Sequence, residues 1–112
     1  MNKVVYNGCF GGFSLSKAAM KWLAENGREE IKAIAKKELQ EDPNNTFGYH
    51  RLEIERHDPD LVRCVETLGY RASGRCANLG VRELKGNRYR IDEYDGSEEV
   101  FEPEDEEYIT IE

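Results

Sequence analysis

Asn7-Gly8-Cys9-Phe10-Gly11-Gly12-Phe13-Ser14-Leu15-Ser16 joins an apolar run, Val4-Val5-Tyr6, to an amphipathic run from Leu15 to Leu23. A short β-branched strand that enters a helix through glycines predicts a tight strand-to-helix turn. Helix N-termini carry free N–H groups and the positive end of the helix dipole, so such a turn suits an anion or a polar ligand. Three readings follow. In the first, Gly8, Gly11 and Gly12 bend the chain and let strand and helix pack closely, with Phe10 and Phe13 in the core. In the second, the N–H groups of Gly11 to Ser14 and the hydroxyl of Ser14 or Ser16 hold a phosphate or carboxylate, while an aromatic ring stacks on a base. In the third, Cys9, shortly before a helix N-terminus, is a nucleophile of lowered pKa. That reading needs a base, and the two histidines, His50 and His57, have no catalytic signature around them. No Gly-Lys-Ser/Thr follows the glycines, and their spacing is not that of a dinucleotide fingerprint.

Beyond this turn, Ser14 or Ser16 is positioned to cap a helix whose apolar face is Leu15, Ala18, Ala19, Trp22 and Leu23, with Trp22 as a core anchor. Asn26-Gly27 stops it, and Gly27 suits the left-handed position after a helix. Arg28–Gln40 repeats Ile31, Ile34, Ala35 and Leu39 at helical spacing, and residues 41–46 read as a loop. Phe47–Glu55 alternates as a strand with Leu52 and Ile54 inward. Asp58-Pro59-Asp60-Leu61 is the clearest helix start, with Asp58 as N-cap and Pro59 at N1. Leu61, Val62, Val65 and Leu68 form its buried face and Gly69 ends it. Cys76–Leu84 and Arg88–Tyr94 read as a hairpin around Lys85-Gly86-Asn87. Asp95-Gly96 is a second turn, and Val100-Phe101 and Tyr108–Ile111 are short apolar segments that form a last strand or a hairpin around Pro103. The expected architecture is α+β: a mainly antiparallel sheet with two or three helices packed on one face, in a single domain 1–112 with an acidic C-terminal segment 97–112.

Composition narrows the partners. The 112 residues are 38% hydrophobic and 35% charged, with a net charge of -7. Eleven acidic residues and no Lys or Arg lie between Ile91 and Glu112, so residues 1–90 are net positive. The bulk of the domain therefore suits an anion, while no concentrated basic face predicts duplex nucleic-acid binding. The acidic end reads as a solvated face or tail, or as an imitation of nucleic acid. No run has the length of a membrane span and the N-terminus lacks a signal-peptide core, so a cytoplasmic setting is expected. Cys9, Cys64 and Cys76 suit reduced thiols, without metal-ligand spacing. Neither metal nor cofactor is expected; the carboxylates Asp92 and Asp95 are a weak signal of a metal or glycosidase site.

Two further constellations bear on a site. In Arg56-His57-Asp58-Pro59, at a strand-to-helix junction, either Arg56 pairs with an acid of the chain, or it projects near the Gly-rich turn and grips an anion with its bidentate fork. In Glu93-Tyr94-Asp95-Gly96, Asp95 either contacts a ribose hydroxyl or a partner, or simply forms a turn.

Asn7-x-Cys9-Phe10-Gly11-Gly12-Phe13-x-Leu15-Ser16 resembles the opening of a group of small phage and prophage proteins. The resemblance continues through Arg56-x-Asp58-Pro59-x-Leu61-Val62-x-x-Val65-Glu66-x-Leu68-Gly69, Ala72-x-Gly74-x-x-Ala77-x-Leu79 and Tyr89-x-Ile91-x-Glu93-Tyr94-Asp95-Gly96. Residues 28–49 lie outside the pattern, and its usual members lack so acidic an end. What the resemblance implies is an accessory protein that acts by binding, either blocking a host protein or sequestering a host signal molecule, with no catalytic residue carried over. The preferred expectation is a sponge for a small, nucleotide-derived anionic signal. Its candidate ligand residues are Asn7, Cys9, Phe10, Gly11, Gly12, Phe13, Ser14, Ser16, Arg56 and Asp95. Such sites often lie between subunits, so a homo-oligomer is expected. The alternative is an acidic protein–protein inhibitor that sets its C-terminal strands against a basic host protein; a Cys9-dependent enzyme comes third.

Overall fold

The computed structural model describes residues 2–50 and 52–103. The element order is β1 (Lys3–Asn7), α1 (Lys17–Asn26), α2 (Glu29–Glu41), α3 (Pro59–Leu68), a 3-10 turn at Gly69–Ala72, β2 (Leu79–Glu83), β3 (Arg90–Tyr94) and β4 (Ser97–Phe101). The class is α+β, as expected. Its strands form two antiparallel ribbons, β1–β2 and β3–β4. In the first, Val5 lies opposite Val81 and Asn7 opposite Leu79. The short segment Tyr108–Ile111 lies outside the described residues.

Val4 and Val5 are neighbours in sequence and both fully buried, although a strand turns successive side chains to opposite faces. Both are covered because the β1–β2 ribbon lies between two apolar clusters. Val5 joins the main cluster with Leu15, Met20 and Leu23 before and within α1, Ile31 and Ala35 of α2, and Leu61 and Val65 of α3. Val4 joins Leu84 and Val100 in a smaller cluster, flanked by Tyr6, Tyr89 and Ile91. Helices thus cover one face of β1 and the β3–β4 hairpin covers the other.

The helix starts follow their caps. Ser16 caps α1, its Oγ accepting from the Ala19 N–H at 3.1 Å. Asp58 caps α3, accepting from the Asp60 N–H at 2.8 Å, with Pro59 at the start. Asp58 also pairs with Arg28 at 2.7 Å, and the Arg28 N–H donates to Asp60 at 2.9 Å. The α1–α2 junction is therefore held to the start of α3 by a charge-assisted staple. Hydrogen bonding to Asp58 raises the pKa of the Arg28 guanidinium.

Three expectations need correction. Gly27 is extended (φ -77°, ψ 170°), not left-handed. It is needed for its size, since a Cβ there would lie 2.8 Å from the Leu23 carbonyl and 2.9 Å from Ile31. The described residues of 47–55 form no continuous strand. Of the described residues in this stretch only Tyr49 forms a bridge, to Leu15, through reciprocal backbone bonds of 2.8 and 3.0 Å, and Leu52 and Ile54 pack on the main cluster as half-buried side chains. Apolar alternation reports which side chains face inward, and here, among the described residues, no partner strand runs alongside. Finally, β2 and β3 do not pair around residues 85–87. β2 returns to β1, and β3 pairs with β4 through Asp95-Gly96. Asp95 (φ 50°) and Gly96 (φ 90°) both have the positive φ that a two-residue hairpin of this hand requires. The Lys85 and Gly86 N–H groups instead meet the buried Glu102 carboxylate at 2.9 and 3.2 Å.

Asp58→Ala removes both a cap and the partner of Arg28. Urea unfolding is expected to show a loss of about 1–2 kcal/mol with the α+β circular dichroism retained below the transition.

Candidate functional site

The Gly-rich turn ends in a closed network centred on Asn7. Its side chain is fully buried, and its amide donates to the carbonyls of Cys9 (2.6 Å) and Gly96 (2.8 Å). Its Oδ1 accepts from the N–H groups of Asn78 (2.8 Å) and Cys9 (3.3 Å). One side chain thus joins β1, the turn, the approach to β2 and the β3–β4 turn. The glycines fit the same closeness. A Cβ on Gly11 would overlap the Cys76 carbonyl, and one on Gly96 would overlap the Phe10 carbonyl and lie 2.6 Å from the Gly12 nitrogen.

Arg56 reaches this network, as one sequence reading expected, and its fork is already filled. Its Nη1 and Nη2 donate to the two Glu98 oxygens at 2.6 and 2.8 Å. The Asn7 N–H donates to the same carboxylate at 2.8 Å. The Arg56 guanidinium lies 3.7 Å from the Phe13 ring centroid, and its carbonyl accepts from the Val5 N–H at 2.8 Å. An N–H donor, a bidentate arginine and a stacked ring do converge on an anion; it is the protein's own Glu98, with a side chain only 8% exposed.

The remaining candidates separate. Ser16 caps α1 and donates to the Arg71 carbonyl. Ser14 is fully buried, with an Oγ that makes no hydrogen bond among the described residues. Phe13 is half-buried under Arg56, whereas Phe10 is 66% exposed and not in the core. Trp22 is also only half-buried, beneath the Arg63 guanidinium. Gly11 is exposed and Gly12 half-buried, and Asp95 is an exposed turn residue. Cys9 is half-buried, and among the described residues no hydrogen bond links it to a histidine. The His57 ring meets the Tyr89 hydroxyl at 2.8 Å, and that of His50 meets the Phe13 carbonyl at 3.3 Å.

The acidity of the chain's end also divides by strand parity. Glu98, Val100 and Glu102 point inward and are buried. Asp92, Tyr94, Ser97, Glu99 and Phe101 line an outer cleft of about 370 Å³ together with Phe10 and Glu93. Within it Asp92 and Glu99 are direct cross-strand neighbours. Like charges so placed repel each other and disfavour the pairing. Sequence reasoning missed both the role of Glu98 and this cleft. The signal was present in the two-residue turn Asp95-Gly96, whose register places Asp92 opposite Glu99 and sends Glu98 inward.

Comparison with protein-family models, with curated proteins and with solved structures gives no match. No helix among the described residues is long and apolar enough to cross a membrane.

Two outcomes test this arrangement. Arg56→Met leaves the Glu98 carboxylate buried without its cation. Urea unfolding is expected to show a loss of about 3–5 kcal/mol, much of it recovered in Arg56→Met/Glu98→Leu. Burial pushes the Cys64 thiol up to about 12 from an ordinary value of 9.0. An unfolded chain ionises this thiol first, so its contribution to stability is complete below pH 9 and falls as pH rises towards 12. In thiol titration of the folded protein, exposed Cys76 is expected to react readily and Cys64 only after denaturation.

Proposed function

We propose that this protein is a phage-type accessory binding protein that holds a basic segment of a host protein on the outer face of β3 and β4. The observation that carries this reading is the opposed pair Asp92 and Glu99, set beside exposed Phe10 and Tyr94. Arg90 meets Asp92 at 3.2 Å, but Glu99 has no ion pair among the described residues. A cation from outside would relieve the repulsion between the two carboxylates, and exposed aromatic side chains are the residue type that anchors protein interfaces. The face is acidic, so a basic partner is attracted from a distance and an anionic one is repelled.

Sequestration of a nucleotide-derived anion has less support. The groups that converge at the Gly-rich turn already hold Glu98, and the cleft nearest Phe10 is lined by carboxylates. Deleting residues 98–112 would not separate the two readings, because Glu98, Val100 and Glu102 pack against the rest of the protein.

Glu99→Gln does separate them. Removing one of two opposed carboxylates is expected to raise stability by about 0.2–1 kcal/mol in urea unfolding. The same change is expected to weaken binding of a Lys/Arg-rich peptide by about tenfold in isothermal titration at low salt. A protein that binds cyclic oligonucleotides or cyclic ADP-ribose isomers and no basic peptide would overturn this reading in favour of the sponge.

A further inference from the structure

We infer that the cleft beside Phe10 anchors an arginine side chain of the basic segment; this rests on the reading of the β3–β4 face as a surface for a basic partner. The protein has four phenylalanines. Three of them lie beneath an arginine of the chain: Phe13 under Arg56 at 3.7 Å, Phe47 under Arg75 at 5.4 Å and Phe101 under Arg90 at 5.0 Å from ring centroid to guanidinium carbon. Among the described residues Phe10 has no such cover, and it stands 66% exposed beside Tyr94, itself 79% exposed.

One end of the cleft already shows how the face takes a guanidinium. Arg90 lies over Phe101 while its Nε donates to Asp92 at 3.2 Å. The rest of the cleft offers the same two elements, a ring in Phe10 or Tyr94 and a carboxylate in Glu99, across from Asp92. A cation seated there meets aromatic faces and the Glu99 carboxylate, which has no ion pair among the described residues.

The chemistry favours arginine over lysine. A guanidinium is planar and weakly hydrated, and it stacks on a ring while its edge N–H groups still reach a carboxylate. An ammonium is a compact, strongly hydrated point charge that must lose water to enter the same space. The ring of Phe10 also stands on backbone that is held firmly, since Gly96 packs against the Phe10 carbonyl and Asn7 bonds to the Cys9 and Gly96 carbonyls on either side. An anchor held in place before binding loses less freedom on association.

Isothermal titration of the full chain with three peptides tests the assignment. The peptides share a lysine-rich frame and carry arginine, lysine or the neutral isostere citrulline at the centre. The arginine peptide is expected to bind about three- to thirtyfold more tightly than the lysine peptide, with citrulline weakest. Phe10→Ala changes an exposed side chain, so the fold should persist. It is expected to bring the arginine and lysine peptides within about twofold of each other, because the arginine peptide loses more than the lysine peptide. Phe10→Tyr should restore the preference. Equal binding of the arginine and lysine peptides to the unaltered protein, or a preference that survives Phe10→Ala, would overturn the arginine anchor and leave the basic-partner reading standing. Failure of all three peptides to bind would overturn both.

Discussion

The carboxylate of Glu98 attaches the β3–β4 hairpin to the rest of the protein. A two-stranded hairpin is marginal in water by itself, and among the described residues β3–β4 belongs to no larger sheet. Its inner face contributes Val100 to a small apolar cluster with Val4 and Leu84. Apolar contacts of that size hold two layers together without fixing how one slides over the other. Glu98 supplies the direction, because it accepts from both ends of the Arg56 fork and from the Asn7 N–H. Two parallel N–H bonds and a third from the backbone specify one position along β1 and one orientation of β4. Glu102 acts similarly at the far end of β4, where it meets the Lys85 and Gly86 N–H groups and lies 3.7 Å from Arg82.

This attachment decides where the surface chemistry lies. The Gly-rich turn has the donors of an anion site, and the protein has placed its own anion there. Asn7, Arg56 and Phe13 then serve the joint between hairpin and body. Strand alternation does the rest: sending Glu98 inward sends Glu99 outward, opposite Asp92. The same hairpin is thus bonded through carboxylates on one face and crowded by carboxylates on the other. The crowded face carries Tyr94 and lies beside Phe10, and a complementary partner has both charge and aromatic area to engage there.

Helices were the most legible part of the sequence, because their signals are local. Ser14 or Ser16, Asp58-Pro59 and Gly69 mark helix ends from local sequence alone, and Ser16 starts α1 while Asp58-Pro59 and Gly69 bound α3. The strands were less legible, because pairing is a choice between distant segments. Residues 47–55 have the alternation of a strand, yet among the described ones only Tyr49 finds a bridge. Residues 85–87 look like a hairpin turn, but β2 goes back to β1, where Val81 meets Val5 against the helical core. At the site, the two readings of Arg56 were pairing with an acid of the chain and projecting towards the Gly-rich turn; its guanidinium pairs with Glu98 and lies over Phe13 of that turn. The identity of the anion between them was hidden, since Glu98 is one of many acidic residues and only the hairpin register sets it apart. The outer cleft was hidden for a related reason. Phe10 reads as a core residue by type, and its exposure depends on Gly11 and Gly96 pressing the turn against Cys76 and the hairpin.

Amide hydrogen exchange at Asn7 tests the attachment most directly. This N–H lies at the end of β1 and donates to a side-chain carboxylate from a strand ninety-one residues away in sequence. If Glu98 holds the hairpin in place, the Asn7 amide exchanges only in the openings that expose Val5, whose N–H donates to the Arg56 carbonyl. Its protection then matches that of Val5 and drops sharply in Glu98→Gln. Exchange of the Asn7 amide at the rate of an exposed loop residue, while Val5 stays protected, would contradict the account.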